Sequence, residues 1–115
     1  MNADSRRKEV LETLVDFTKP IDVLETDISQ IPWDAPMSLI TLTKDHVRRV
    51  LERYTSKALS PREVEQWANL LEVREDIAME ESVRDVVCRL ANPILEGDLS
   101  EMEAQSLIKG PLSHR

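Results

Sequence analysis

The chain of 115 residues predicts an all-α fold, a single compact bundle of four to five short amphipathic helices with an irregular N-terminal connector. Three observations carry that prediction. Leu, Glu, Arg and Lys are abundant while aromatics make up 3% of the residues and glycine occurs twice, a composition that favours helices over sheets. Apolar residues recur at the i, i+3, i+4, i+7 spacing of a helix face. The same helix-start chemistry then appears more than once along the chain, at "TLTKDH", "LSPREVE" and "LSEMEA". At this length one domain is expected, organised as an N-terminal helix over 1–19, an irregular connector over 20–42 and a helical core over 43–109.

In the first helix, Asp4 or Ser5 serves as N-cap, and Val10, Leu11, Leu14 and Val15 form one stripe. "TKP" is expected to end it, because proline disfavours helical geometry at the residue before it. From Pro20 to Pro36 the periodicity breaks down among three prolines, and the segment reads as a connector lying on the core, with a turn of helix around Leu24 to Ser29. "MSLITLT" has strand-like residues but reads as too short and too isolated to found a sheet.

Thr43 caps a second helix with Val47, Val50, Leu51 and Tyr54 on its inner face. In "LSPREVEQWANLL" every position agrees with helix construction. Ser60 is the N-cap, Pro61 occupies the first helical position where no donor is needed, and Glu63 completes a capping box. Leu59 and Val64 are the hydrophobic staple, and Val64, Trp67, Ala68 and Leu71 the buried stripe. A fourth helix is expected to start between Ile77 and Ser82 and to bury Val83, Val86, Val87, Leu90 and Ala91 before "NP" stops it. A fifth runs from Glu101 to about Lys109 with Gly110 as its C-terminal cap, leaving the tail "LSHR" to fray.

Charge is unevenly placed. The net charge is −7, and from Ala58 onward six Lys/Arg face twelve Asp/Glu, against nine and ten before that point. An acidic field repels nucleic acid and anionic membranes and steers basic partners. The helix–connector–helix from Thr43 to Val73 imitates a helix-turn-helix only superficially, since its second helix offers Arg62 against Glu63, Glu65 and Glu72. No apolar run approaches the roughly 18 residues of a membrane span, the N-terminus carries no secretory h-region, and Cys88 is the single cysteine. These features lead to the expectation of a cytoplasmic protein that binds neither nucleic acid nor membrane.

No catalytic set emerges. Cys88 falls off the apolar stripe of its helix with only His46 and His114 to activate it, and His46 lies in the first turn of its helix, a capping position. No nucleophile elbow or phosphate-binding glycine loop is present. Glu72 and Glu75 have the i, i+3 spacing of carboxylate-bridged metal sites, but the histidine that such sites place three residues after a Glu is absent. The expectation is therefore no enzyme, no metal and no cofactor. The acidic run Glu72, Glu75, Asp76, Glu80 and Glu81 has two readings. It is a charged helix boundary, with Glu80 and Arg84 paired at i, i+4 and Arg74 bridging the turn, or it is an anionic patch that meets a partner.

The stretches "ITLTKDHVRRVLERYTSKALSPREVEQWANLLEVREDI" and "VVCRLANPILEGDLSEMEAQSLI" resemble a group of small bacterial proteins of uncharacterised function, in the order TLT…HV, VLERY, LSPxEVExWAN, ExRED and LANP. The resemblance covers residues 40 to 108. It implies an all-α bacterial domain, and its members look similar to immunity proteins encoded beside secreted toxins. On that basis the expected function is a small acidic protein-binding domain, an immunity-type inhibitor of a basic, nuclease-like toxin. The anionic contacts would be Glu72, Glu75, Asp76, Glu80 and Glu81, with Trp33 as an apolar anchor. The alternative is a structural or regulatory helical protein without a toxin partner, bound through an apolar patch.

Overall fold

A computed structural model describes residues 3–30, 40–74, 77–92 and 99–112. Among them are six helices and one small parallel sheet: α1 (Ala3–Asp16), α2 (Ile21–Ser29), β1 (Ile40–Leu42), α3 (Lys44–Thr55), α4 (Pro61–Glu72), β2 (Ile77–Met79), α5 (Glu81–Ala91) and α6 (Glu101–Lys109). The fold is essentially all-α, with slightly more helices than expected. α4 packs on α5, α3 on α6 and α1 on α2, and the apolar faces meet in one cluster that includes Leu11, Leu14, Leu51, Trp67, Leu71 and Val83.

Three local expectations change. The segment after Pro20 is a nine-residue helix rather than an irregular connector with one turn. Pro20 supplies its carbonyl to the amides of Val23 and Leu24, and Leu24 and Ile28, four residues apart, bury against the core with Ile21 half-buried beside them. "ITL" is not isolated. It pairs in parallel with Ile77–Met79, in the register Ile40 to Ile77, Thr41 to Ala78 and Leu42 to Met79. Ile77 to Met79 therefore form a strand, and α5 starts at Glu81, inside the range from Ile77 to Ser82 expected for the fourth helix. A parallel pair needs a long crossover, and α3 with α4 provides it. Lastly, Leu112 does not fray: its amide donates to the Leu107 carbonyl and its side chain is fully buried.

The helix starts are built as their sequences direct. The Ser60 hydroxyl accepts from the Glu63 amide at 3.1 Å while the Glu63 carboxylate accepts from the Ser60 amide at 2.9 Å. Ser100 accepts from the Glu103 amide at 3.0 Å. At Thr43 the reciprocal partner is a histidine. His46 Nδ1 accepts from the Thr43 amide at 2.9 Å, the Thr43 hydroxyl accepts from the His46 amide at 3.3 Å, and His46 Nε2 lies 3.4 Å from Asp16 of α1. This arrangement needs the neutral ring with its proton on Nε2.

Helix ends are less conventional. α1 closes in a Schellman motif: Phe17 donates to Leu14 and Thr18 to Thr13, with Phe17 at φ 51° in the seat that glycine ordinarily takes. α3 closes the same way, with Lys57 at φ 71° donating to Tyr54 and Ala58 donating to Arg53. A side chain in this left-handed region costs roughly 1 kcal/mol. At Phe17 the cost is offset, because the ring is buried, stacks on Trp67 at 5.9 Å between centroids and lies under the Arg53 guanidinium. Lys57 is exposed and gains nothing comparable.

No helix among the described residues is long and apolar enough to cross a membrane.

Two predictions follow from these termini. Lys57→Gly should leave stability unchanged or raise it by up to about 1 kcal/mol, since relief of strain is partly cancelled by the freer unfolded chain. Phe17→Gly, at the same backbone conformation, should cost roughly 3–5 kcal/mol through the lost ring. Urea denaturation of both variants checks the contrast, and equal effects would refute it. For His46, burial lowers the pKa below the ordinary histidine value, with help from Arg49 and against the pull of Asp16 and Asp45. The folded state thus takes up its proton later than the unfolded chain. The stability contributed is complete above about pH 6.5 and is lost as pH falls through the lowered pKa of His46. His46→Gln, which can still accept from the Thr43 amide, should flatten this part of the stability–pH curve, as measured by denaturation between neutral and mildly acid pH.

Candidate functional site

The acidic run lies where α4 ends, β2 passes and α5 begins. α4 stops at Glu72, and the Arg74 amide returns to the Leu71 carbonyl at 3.2 Å. This turn sends Val73 outward, 64% exposed, and Arg74 inward, 6% exposed. Ile77 is buried as the first residue of β2, and Glu80 then takes the N-cap position of α5.

Of the residues expected to form the site, Glu72, Glu80 and Glu81 are all exposed around this corner. Trp33, Glu75 and Asp76 lie outside the described residues, as does His114. The corner is concave. A groove of 570 Å³ is lined by Glu72, Val73, Arg74, Ile77, Ala78, Met79 and Arg84.

The local construction explains some of these carboxylates and not others. Glu80 makes no side-chain capping bond to α5, only its carbonyl accepting from the Arg84 amide at 2.9 Å. The expected Glu80–Arg84 ion pair is absent among the described residues, and both side chains face solvent. Glu81, in the first turn of α5, sits where the helix dipole favours an anion. Glu72 sits at the opposite pole. It is the last residue of α4, whose final turn holds no basic residue, so its charge opposes the dipole, with a single 3.4 Å contact from Asn92 Nδ2.

The other candidates take structural roles. His46 belongs to the α3 cap, and Cys88 is an exposed free thiol whose carbonyl accepts from Asn92 Nδ2 at 2.6 Å. Among the described residues no group of three or more His, Cys, Asp or Glu side chains converges as metal ligands would. Arg89 forks onto Glu103 of α6 at 2.6 and 2.7 Å and ties α5 to α6.

Sequence reasoning missed Val73, Met79 and Arg84 as parts of this surface. The available signal was the short unbroken apolar run Ile77, Ala78 and Met79 between two acidic pairs, which fits a short strand as well as a helix start.

No protein-family model, curated protein or solved structure matches this chain.

Proposed function

We propose that the protein is a cytoplasmic, acidic protein-binding domain, an immunity-type inhibitor of a basic, nuclease-like bacterial toxin, acting by occlusion and with no catalytic step of its own. One observation carries the reading. Three carboxylates, Glu72, Glu80 and Glu81, stand exposed at the corner where α4 ends and α5 begins, and Glu72 lines a groove there together with Val73, the most exposed of the described valines, Arg74 and Arg84. Such an arrangement offers anions where a nuclease would otherwise hold substrate phosphates, with an apolar contact among them.

Glu72 adds a physical argument. A carboxylate at a helix C-terminus is a small electrostatic liability, so its presence there fits a role outside folding. The acidity of the chain beyond Ala58 extends the same field, and steering of this kind accelerates encounter with a cationic surface. The resemblance to a group of small bacterial proteins of uncharacterised function, themselves similar to immunity proteins, supports the same reading.

The test combines stability with binding. Glu72→Gln should stabilise the fold by about a few tenths of a kcal/mol, and Glu81→Gln should destabilise it by a similar amount. Both should weaken binding to the captured partner. In affinity capture from the native host, the wild-type chain should retain a basic protein whose nuclease activity it suppresses, with binding that falls steeply as salt is raised. The combined Glu72→Lys, Glu80→Lys, Glu81→Lys variant should lose that protein. Capture that survives charge reversal would sink the reading and favour a partner held through apolar contacts.

A further inference from the structure

Three helices start on a Thr or Ser whose hydroxyl accepts from the amide three residues on. In α4 and α6 that third residue is a glutamate, Glu63 or Glu103. In α3 it is His46, so of these three starts only this one depends on a side chain that ordinarily titrates near neutral pH. Its place in the fold gives that difference a consequence. Thr43 directly follows Leu42, the fully buried last residue of β1, which pairs with Met79 of β2. On its other side the ring reaches the end of α1, with Nε2 3.4 Å from Asp16. One partly buried imidazole thus joins α1, the start of α3 and the end of β1.

A proton on Nδ1 affects these contacts unequally. Nδ1 accepts from the Thr43 amide at 2.9 Å, and a main-chain N–H can only donate, so protonation removes this bond and sets two donors against each other. The other neighbours favour the charged ring. Thr43 Oγ1, 3.0 Å from Nδ1, can accept the new proton, and the Asp16 carboxylate attracts the charge from α1. Within α3, Asp45 favours the charge and Arg49 opposes it, while β1 carries no titratable side chain. The ring therefore stays between Thr43 and Asp16, and the Thr43 amide is the group it lets go.

We infer that His46 is a proton-operated latch on the sheet: protonation frees the main chain at Thr43 and loosens the Leu42–Met79 end of the β1–β2 pair, while the helix starts at Ser60 and Ser100 stay closed. Two strands of three residues have little stability of their own, so a released flank is felt in the pairing. Met79 also lines the groove beside α4, so the latch acts on one wall of that surface. Burial of the ring sets the transition on the acid side of about pH 6.5.

NMR titration of the full-length, isotope-labelled chain from about pH 7.5 to 4.5 tests this without any partner. The amide signals of Leu42, Thr43 and Met79 should move with the midpoint of the His46 ring nitrogens. Protection of the amides that pair β1 with β2, corrected for intrinsic exchange, should fall by about fivefold or more, as loss of one main-chain bond predicts. The Glu63 and Glu103 amides should not follow that midpoint. Asp16→Asn should lower the midpoint, and His46→Gln, whose side-chain oxygen still accepts from the Thr43 amide, should abolish the transition at all three positions. Leu42 and Met79 signals that ignore the His46 midpoint, a transition that persists in His46→Gln, an Asp16→Asn midpoint that stays or rises, a ring still neutral at about pH 4.5, or collapse of all amide signals together would each overturn the inference.

Discussion

The indole of Trp67 holds the fold at the one place where three helices must agree. Its Nε1 donates to the Leu14 carbonyl at 2.7 Å, its ring is fully buried, and it stacks on Phe17. The last carbonyls of a helix lack partners within it, and burying them unsatisfied is costly. At the end of α1 four hydrogen bonds form. Thr13 accepts from Thr18, Leu14 from Phe17 and Trp67, and Phe17 from the Arg53 guanidinium at 2.7 Å. α1, α3 and α4 thus meet at a hydrogen-bonded polar knot beside the apolar core.

That knot constrains the candidate site at a distance. α3 and α4 form the crossover between β1 and β2, so fixing both helices against α1 fixes how the two strands meet. The groove at β2 is walled by the far end of α4, whose Trp67 is pinned and whose Val64, Ala68 and Leu71 are buried. The corner therefore rests on an anchored helix. A rim held in place before binding loses less conformational freedom when a partner arrives.

Local chemistry made much of this legible. Thr43, Ser60 and Ser100 cap helices as their short-range patterns dictate, and the stripes Val47–Val50–Leu51 and Val64–Trp67–Ala68–Leu71 are buried. What escaped reading was non-local. Ile77–Met79 becomes a strand only because Ile40–Leu42 lies beside it, and no residue near Ile77 records that. Phe17 was equally opaque, since a left-handed aromatic residue is tolerable only once Trp67 and Arg53 surround it. The acidic run was visible as charge, while the groove that Glu72 lines at its start came from the turn that buries Arg74 and exposes Val73.

The three described carboxylates of that corner are not equivalent, and the difference bears on why they are there. An anion near the start of a helix is favoured by the dipole, so Glu81 is accounted for by folding alone. Glu80 occupies a cap position without using its carboxylate to cap, so folding accounts for its backbone but not for its charge. Glu72 ends α4 against the dipole, with no basic residue in that turn. Across the corner the folding explanation thus weakens from Glu81 to Glu80 to Glu72, while all three share exposure to solvent. Glu72, the residue that helix chemistry would least choose, also lines the groove beside β2, where Arg74 and Arg84 are the cations that share the lining with it.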